Sequence, residues 1–279
     1  MKCAWNELLA ILPQQLQSGV DKFGRDKLQE LRLRTGLQPQ LILFDGRISL
    51  PGVVQDDMLR YIVNLACRYS PWTAESAARG YITTKGGHRI GLCGQTAIKD
   101  GKVTAFTSIR SMNIRVARDF PGLAEPIAML RGNLLLLGPP GSGKTTLLRD
   151  LVRQRSLHET VSVADSRGEV FPDGFSIGNG VDILSGCDKP TALEMLLRTM
   201  GPDTIAVDEI TAQADCEALI QAAWCGVRLV ATAHAANLLD LEGRKVYRPI
   251  LRSGLFDWAV VLKRDKSFTT ERMIRCNCE

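Results

Sequence analysis

Residues Gly138-Pro139-Pro140-Gly141-Ser142-Gly143-Lys144-Thr145 fit the pattern GxxxxGK followed by Ser or Thr. Glycines at this spacing let a backbone curl until its N–H groups converge, and converging N–H groups bind phosphate oxygens. Lys144 would then reach the β- and γ-phosphates, the Thr145 hydroxyl would take Mg2+, and Thr146 completes the candidate binding set. ATP and Mg2+ are the expected cofactors. A helix opening at Lys144 would point the positive end of its dipole at the same charge.

Hydrolysis needs acids as well as a cradle. Asp208 ends the apolar run TIAVD and would hold Mg2+ through water, and Glu209 follows it directly. A glutamate there can polarise the attacking water, which separates ATPases from phosphate-loop proteins that only bind nucleotide. His234 ends the run VRLVATAH, at a sheet edge where a polar residue can read the γ-phosphate. Asp165-Ser-Arg-Gly-Glu169 follows another strand and would place Asp165 and Glu169 to orient water or metal. The bland alternatives are a strand ending on two surface acids, a packed histidine and a solvated loop.

These residues need strands to carry them. From 132 onward the pattern alternates: LLLLG (134–138), a helix from Lys144, TVSVAD (160–165), a helix near 190–200, TIAVD (204–208), a helix over 213–224, VRLVATAH (227–234) and a late strand, AVVLKR (259–264). Near-continuous apolar strands separated by helices predict a mostly parallel sheet covered on both faces, with ligands at the strands' carboxyl ends. The expectation is therefore an α/β chain: a C-terminal RecA-like P-loop NTPase domain over 132–279, a linker over 121–131, and a smaller α+β N-terminal domain over 1–120. Within the latter, two short helices part at Ser18-Gly19, Asp45-Gly46 turns a hairpin, and a helix from Asp56 runs through Tyr69 until Pro71 stops it. Extended segments over 81–116 turn at Gly86-Gly87 and Asp100-Gly101.

Composition is that of an ordinary globular chain, 45% hydrophobic and 23% charged. No apolar run approaches the ~20 residues needed to span a bilayer, and the first residues, MKCAWNELLAILPQQLQSG, do not read as a signal peptide. A cytosolic protein is expected. The eight cysteines show no CxxC pair and no zinc spacing; the terminal Cys276-Asn-Cys278 is read as inert, with a redox or metal-binding role as the alternative. The net charge of +5 is unevenly spread: residues 1–130 carry 17 Lys/Arg against 11 Asp/Glu, a net +6, and residues 131–279 carry 18 against 19, a net −1. An excess of that kind is a solvated surface or a source of cations for something anionic.

Laid out in order, GGHRIGLCG (86–94), SMNIRVAR (111–118), GPPGSGKTTLLRD (138–150), VDILSGC (181–187), LLRTMGPDTIAVDEI (196–210) and TAH (232–234) resemble the stage III sporulation protein AA ATPases, relatives of the hexameric type II and type IV secretion ATPases. The loop after strand 160–165 reads DSRGE where that family tends to carry DERSE, keeping Asp165, Arg167 and Glu169. The resemblance implies a homo-oligomeric, hexameric ring, peripheral at the cytosolic face of the mother-cell membrane, which energises a secretion-like channel complex of membrane proteins during endospore formation. It also implies that the N-terminal domain supplies arginines to the nucleotide, and Arg89, Arg110 and Arg115 fall in the matching segments.

Other classes remain open on the residues alone. A nucleic-acid-dependent RecA-like motor would use the basic N-terminal half, but aromatics are only 6% and no aromatic–basic ladder is present, so no direct nucleic-acid contact is expected. Stimulation of turnover by nucleic acid discriminates it. A small-molecule kinase fits poorly with Glu209 directly after the Mg2+ acid. An ATP-binding assembly scaffold with little turnover is the third.

Overall fold

The computed structural model describes residues 1–67, 80–172 and 174–273. The chain divides into two compact units, Met1–Asp119 with Pro172–Phe175, and Phe120–Phe171 with Ser176–Glu279. Tyr69, Pro71, Cys276 and Cys278 lie outside the described residues.

The first unit opens with α1 (Trp5–Ala10), α2 (Gln14–Asp21) and α3 (Gly24–Lys27). The break expected at Ser18-Gly19 falls instead at Pro13, which has no N–H to continue a helix. Gly19 sits inside α2 for a packing reason, since a Cβ there would come within 3.1 Å of the Leu50 side chain. Six strands follow: β1 (Leu28–Arg34), β2 (Gln40–Leu43), β3 (Gly46–Ser49), β4 (Tyr81–Thr83), β5 (Arg89–Lys99) and β6 (Lys102–Arg115). They form an antiparallel sheet in the order β3-β2-β1-β6-β5-β4. Leu43 pairs with Gly46, so the hairpin turns on Phe44-Asp45, one residue ahead of expectation.

Side chains alternate across this sheet. Leu31, Leu33, Ile90, Leu92, Met112 and Ile114 share one core with Met58, Leu59 and Ile62 of α4 (Asp56–Cys67). The opposite face carries Glu30, Arg32, Arg89 and Arg115, with Arg115 paired in register to both Arg89 and Glu30. The GGH segment is a close-packing device. A Cβ on Gly86 would stand 2.6 Å from that of Ala4, and one on Gly87, whose φ is 77°, would stand 2.7 Å from Pro172 Cβ. His88 is fully buried; its Nδ1 accepts the Ala117 N–H at 3.1 Å and its Nε2–H donates to Ala4 O at 2.9 Å. Burial pushes its pKa down, so it stays a neutral bridge.

The second unit contains α5 (Glu125–Ala128), β7 (Leu134–Leu137), α6 (Lys144–Arg155), β8 (Val161–Asp165), β9 (Val181–Ser185), α7 (Lys189–Thr199), β10 (Thr204–Ile210), α8 (Gln213–Trp224), β11 (Arg228–Ala233), α9 (Leu238–Gly243), α10 (Arg248–Arg252), β12 (Trp258–Leu262) and β13 (Phe268–Arg272). The sheet order is β13-β12-β7-β11-β10-β8-β9, parallel throughout except for the β12–β13 edge pair. The four leucines of β7 show why a parallel strand reads as unbroken apolar sequence. Leu135 and Leu137 join the core under α7 and α8, while Leu134 and Leu136 join the core under α6. No helix among the described residues is long and apolar enough to cross a membrane.

Residues 121–131, expected as a linker, fold within this unit: Ala124 and Ile127 are buried in the α6 core. Asp150 of α6 accepts the N–H groups of Gly122 at 3.1 Å and Ala124 at 2.8 Å. The chain passes between the units at 119/120, 171/172 and 175/176. Beside the latter two passages, Arg149 of α6 donates to the carbonyls of Val170 and Glu169, the second at 2.9 Å, and Arg153 donates to Ser176 O at 3.2 Å.

Candidate nucleotide site

The 138–143 loop joins the buried carboxyl end of β7 to the first turn of α6. Its curl needs two left-handed residues, Gly141 (φ 75°) and Gly143 (φ 101°), the latter being the N-cap of α6. A Cβ on Gly138 would strike Ser142 Oγ at 2.4 Å, whereas one on Gly141 would meet nothing within 4 Å, so the loop is tight at its base and open at its crest. Lys144 is almost wholly buried, and its ammonium donates to Gly138 O at 2.9 Å and Pro139 O at 3.1 Å. Burial pushes its pKa down, and the charges of Asp208 and Glu209 counter that.

The acids arrive on β10, two strands away, and β11 between them supplies the bridging groups. β10 carries a bulge here. Val207 pairs with Ala231 and Ile210 with Ala233, three steps against two, so one extra residue is accommodated. Glu209 absorbs it at φ 57°, a left-handed conformation rare for glutamate. Thr232 fixes the result: its hydroxyl accepts Glu209 N–H at 2.7 Å and donates to Asp208 Oδ1 at 2.8 Å. The Thr145 hydroxyl lies 3.0 and 3.2 Å from the two Asp208 oxygens. Burial raises the Asp208 pKa, which the Thr232 and Thr145 hydroxyls partly offset.

His234 bridges the two halves of the site. Its Nδ1 lies 2.9 Å from Lys144 Nζ and its Nε2 lies 3.2 Å from Glu209 Oε1. An ammonium only donates, so Nδ1 accepts and Nε2 carries the proton toward Glu209. The other Glu209 oxygen, Oε2, accepts from Arg167 Nη1 at 2.7 Å. Lys144, Thr145, Asp208, Glu209 and His234 are thus one connected cluster. Asp165 is engaged by its own loop, its carboxylate accepting the N–H groups of Glu169 at 3.0 Å and Val170 at 2.8 Å, while its charge helps to raise the Asp208 pKa. Arg89, Arg110 and Arg115 belong to the first unit. Arg89 stacks on Tyr81, 4.4 Å from the ring centroid, Arg110 is exposed on β6, and Arg115 lies 3.5 Å from Glu30.

The donor set suits a Mg2+–nucleotide. The crest of the loop is open, the buried Ser142 Oγ has no hydrogen-bond partner, and the Lys144 ammonium is met by two carbonyls and an imidazole. A hydroxyl and one carboxylate suffice for Mg2+, which takes its remaining ligands from phosphates and water. Three contributors carried no role in the sequence reading. Thr232 is a polar residue inside a buried strand; Arg149 passes for an ordinary helix residue. Lys266, at φ 73° in the β12–β13 turn, donates to Gly141 O and lies far along the chain from any motif.

A family model described as sporulation stage III, protein AA, matches residues 5–275. Stage III sporulation protein AA of Bacillus subtilis (strain 168) is 32% identical over 284 residues, covering 94% of this chain and 92% of that protein. Among solved structures, the Legionella pneumophila ATPase DotB aligns with TM-score 0.56 at 16% identity, over 88% of this chain and 76% of that one. The pilus retraction motor PilT with bound ADP aligns with TM-score 0.59 at 14% identity, over 90% of this chain and 78% of that one. At such identities the structures establish the fold, a P-loop NTPase-like domain preceded by a smaller one.

Proposed function

The chain belongs to the sporulation stage III protein AA family, and from that premise we propose that it is a Mg2+-dependent ATPase. The observation that carries this is the cluster in which Lys144, Thr145, Asp208, Glu209 and His234 converge at the carboxyl ends of β7, β10 and β11. Backbone N–H groups of 141–145 and the Lys144 ammonium hold the phosphates, while Thr145 and Asp208 hold Mg2+. Glu209 orients the attacking water, and His234 fixes Glu209 relative to the terminal phosphate. Mg2+, when bound, neutralises charge on the β- and γ-oxygens.

Arginines of the first unit complete the reaction, Arg89 first, Arg110 next and Arg115 last. The charge split of +6 against −1 supports this, and the Arg115–Glu30 pair supports the ranking. The enzyme works as a ring of identical chains, with membrane proteins of a sporulation channel complex as partners at the mother cell's cytosolic face. Family membership supports that part.

The decisive measurement is binding and hydrolysis of ATP by the wild type and Lys144→Ala. Fixed loop dipoles alone do not neutralise a triphosphate, so the variant loses labelled-ATP binding. Tight binding by Lys144→Ala would show that the loop has been misassigned.

A further inference from the structure

Glu209 is engaged more fully than orienting a water requires. Arg167 Nη1 meets Oε2 at 2.7 Å, His234 Nε2 meets Oε1 at 3.2 Å, and the backbone sits at φ 57°. A carboxylate tied at both oxygens keeps spare lone pairs but is not free to rotate toward a water beside phosphorus. The partner that can leave is Arg167, whose side chain is 51% exposed and stands on a loop fixed from behind by Asp165 and Arg149. His234 is held at its other nitrogen by Lys144. Guanidinium, carboxylate, imidazole and ammonium therefore form one line from the end of β8 to the phosphate loop.

We propose that Arg167 is a positioning residue that reports the terminal phosphate. In the arrangement described it restrains Glu209. A γ-phosphate carries more negative charge than a carboxylate and matches the planar guanidinium fork, so it draws Arg167 away and leaves Glu209 to orient water. ADP lacks that group and leaves the Arg167–Glu209 pair in place. The inference rests on the ATPase reading of this site and adds to it a means of telling triphosphate from diphosphate.

The test is equilibrium binding of fluorescent ADP and of a non-hydrolysable ATP analogue, each with Mg2+, to the full chain. Arg167→Ala weakens the ATP analogue about tenfold, the scale of a lost charged hydrogen bond, and changes ADP by less than about twofold. Glu209→Gln frees the guanidinium, so it tightens the ATP analogue when Arg167 is present and has no such effect in the Arg167→Ala background. Arg167→Lys restores part of the discrimination. Equal weakening of both nucleotides, or of neither, overturns the proposal, as does a Glu209→Gln effect that persists without Arg167. Failure of the wild type to bind either nucleotide is a separate result, and it overturns the ATPase reading itself.

Discussion

Thr232→Val is the most informative single perturbation of the site, because it keeps the shape of a fully buried side chain and removes one oxygen. That oxygen accepts Glu209 N–H at 2.7 Å and donates to Asp208 Oδ1 at 2.8 Å. An amide left unsatisfied in the interior costs ~1–3 kcal/mol, and a hydrogen bond to a charged group is worth ~1.5–3 kcal/mol. The two losses share one atom and will not add fully, so a deficit of ~3–4 kcal/mol at neutral pH is expected. The pH dependence has a sign. Burial already raises the Asp208 pKa above 3.8, and the Thr232 hydroxyl opposes that rise by favouring the carboxylate. Without the hydroxyl the folded-state pKa climbs further. Whatever stability a raised acid contributes is present below its unfolded pKa and disappears as pH rises through the folded one. The deficit of the variant is therefore largest near neutrality and narrows on acidification. Urea unfolding of both proteins from pH 7 down to pH 4.5 measures it. A deficit below ~1 kcal/mol, or one that does not change with pH, refutes the reasoning.

Glu209→Gln should bind ATP at least as tightly as the wild type while turnover falls at least ~10²-fold, the usual loss of a general base; rapid-quench hydrolysis checks it. Gly143→Val forces a β-branched residue to φ 101°, so the protein should lose ~1–3 kcal/mol by thermal melting and show no ATP-induced stabilisation. His88→Gln bears on the first unit. Burial holds the His88 pKa below 6.5, so its contribution is intact above that pH and drains away as pH falls. The variant should lose ~1–2 kcal/mol at pH 7 yet show a shallower decline between pH 6.5 and 5 in denaturant titrations.

The phosphate loop, the strand ends and the α/β order were legible because each has a local signature: glycine spacing, four leucines, acids ending an apolar run. What escaped the sequence depends on partners distant in the chain. Glu209's left-handed backbone follows from how β10 registers against β11, and no feature of the VDEI segment announces it. The contact of Arg167 with Glu209 appears only once β8 and β10 lie side by side. β9 was overlooked as a strand because its VDILS run lies half-buried at a sheet edge, without the unbroken apolar character of β7 or β8. The segment around Pro121-Gly122 looked like a linker because turn residues mark loops equally well on a surface and beside a core. Asp150, twenty-eight residues on from Gly122, is what binds it to α6.

Those bonds on α6 make the helix a mechanical terminal. The chain leaves or enters the second unit three times, and next to the passages Asp150 grips Gly122 and Ala124, Arg149 grips Glu169 and Val170, and Arg153 grips Ser176. The three gripping residues fall within about one helical turn. Each connection is thus secured, just inside the second unit, to the same stretch of helix. Lys144 opens the same helix, so the 138–143 loop and the segments beside all three passages are anchored on one element.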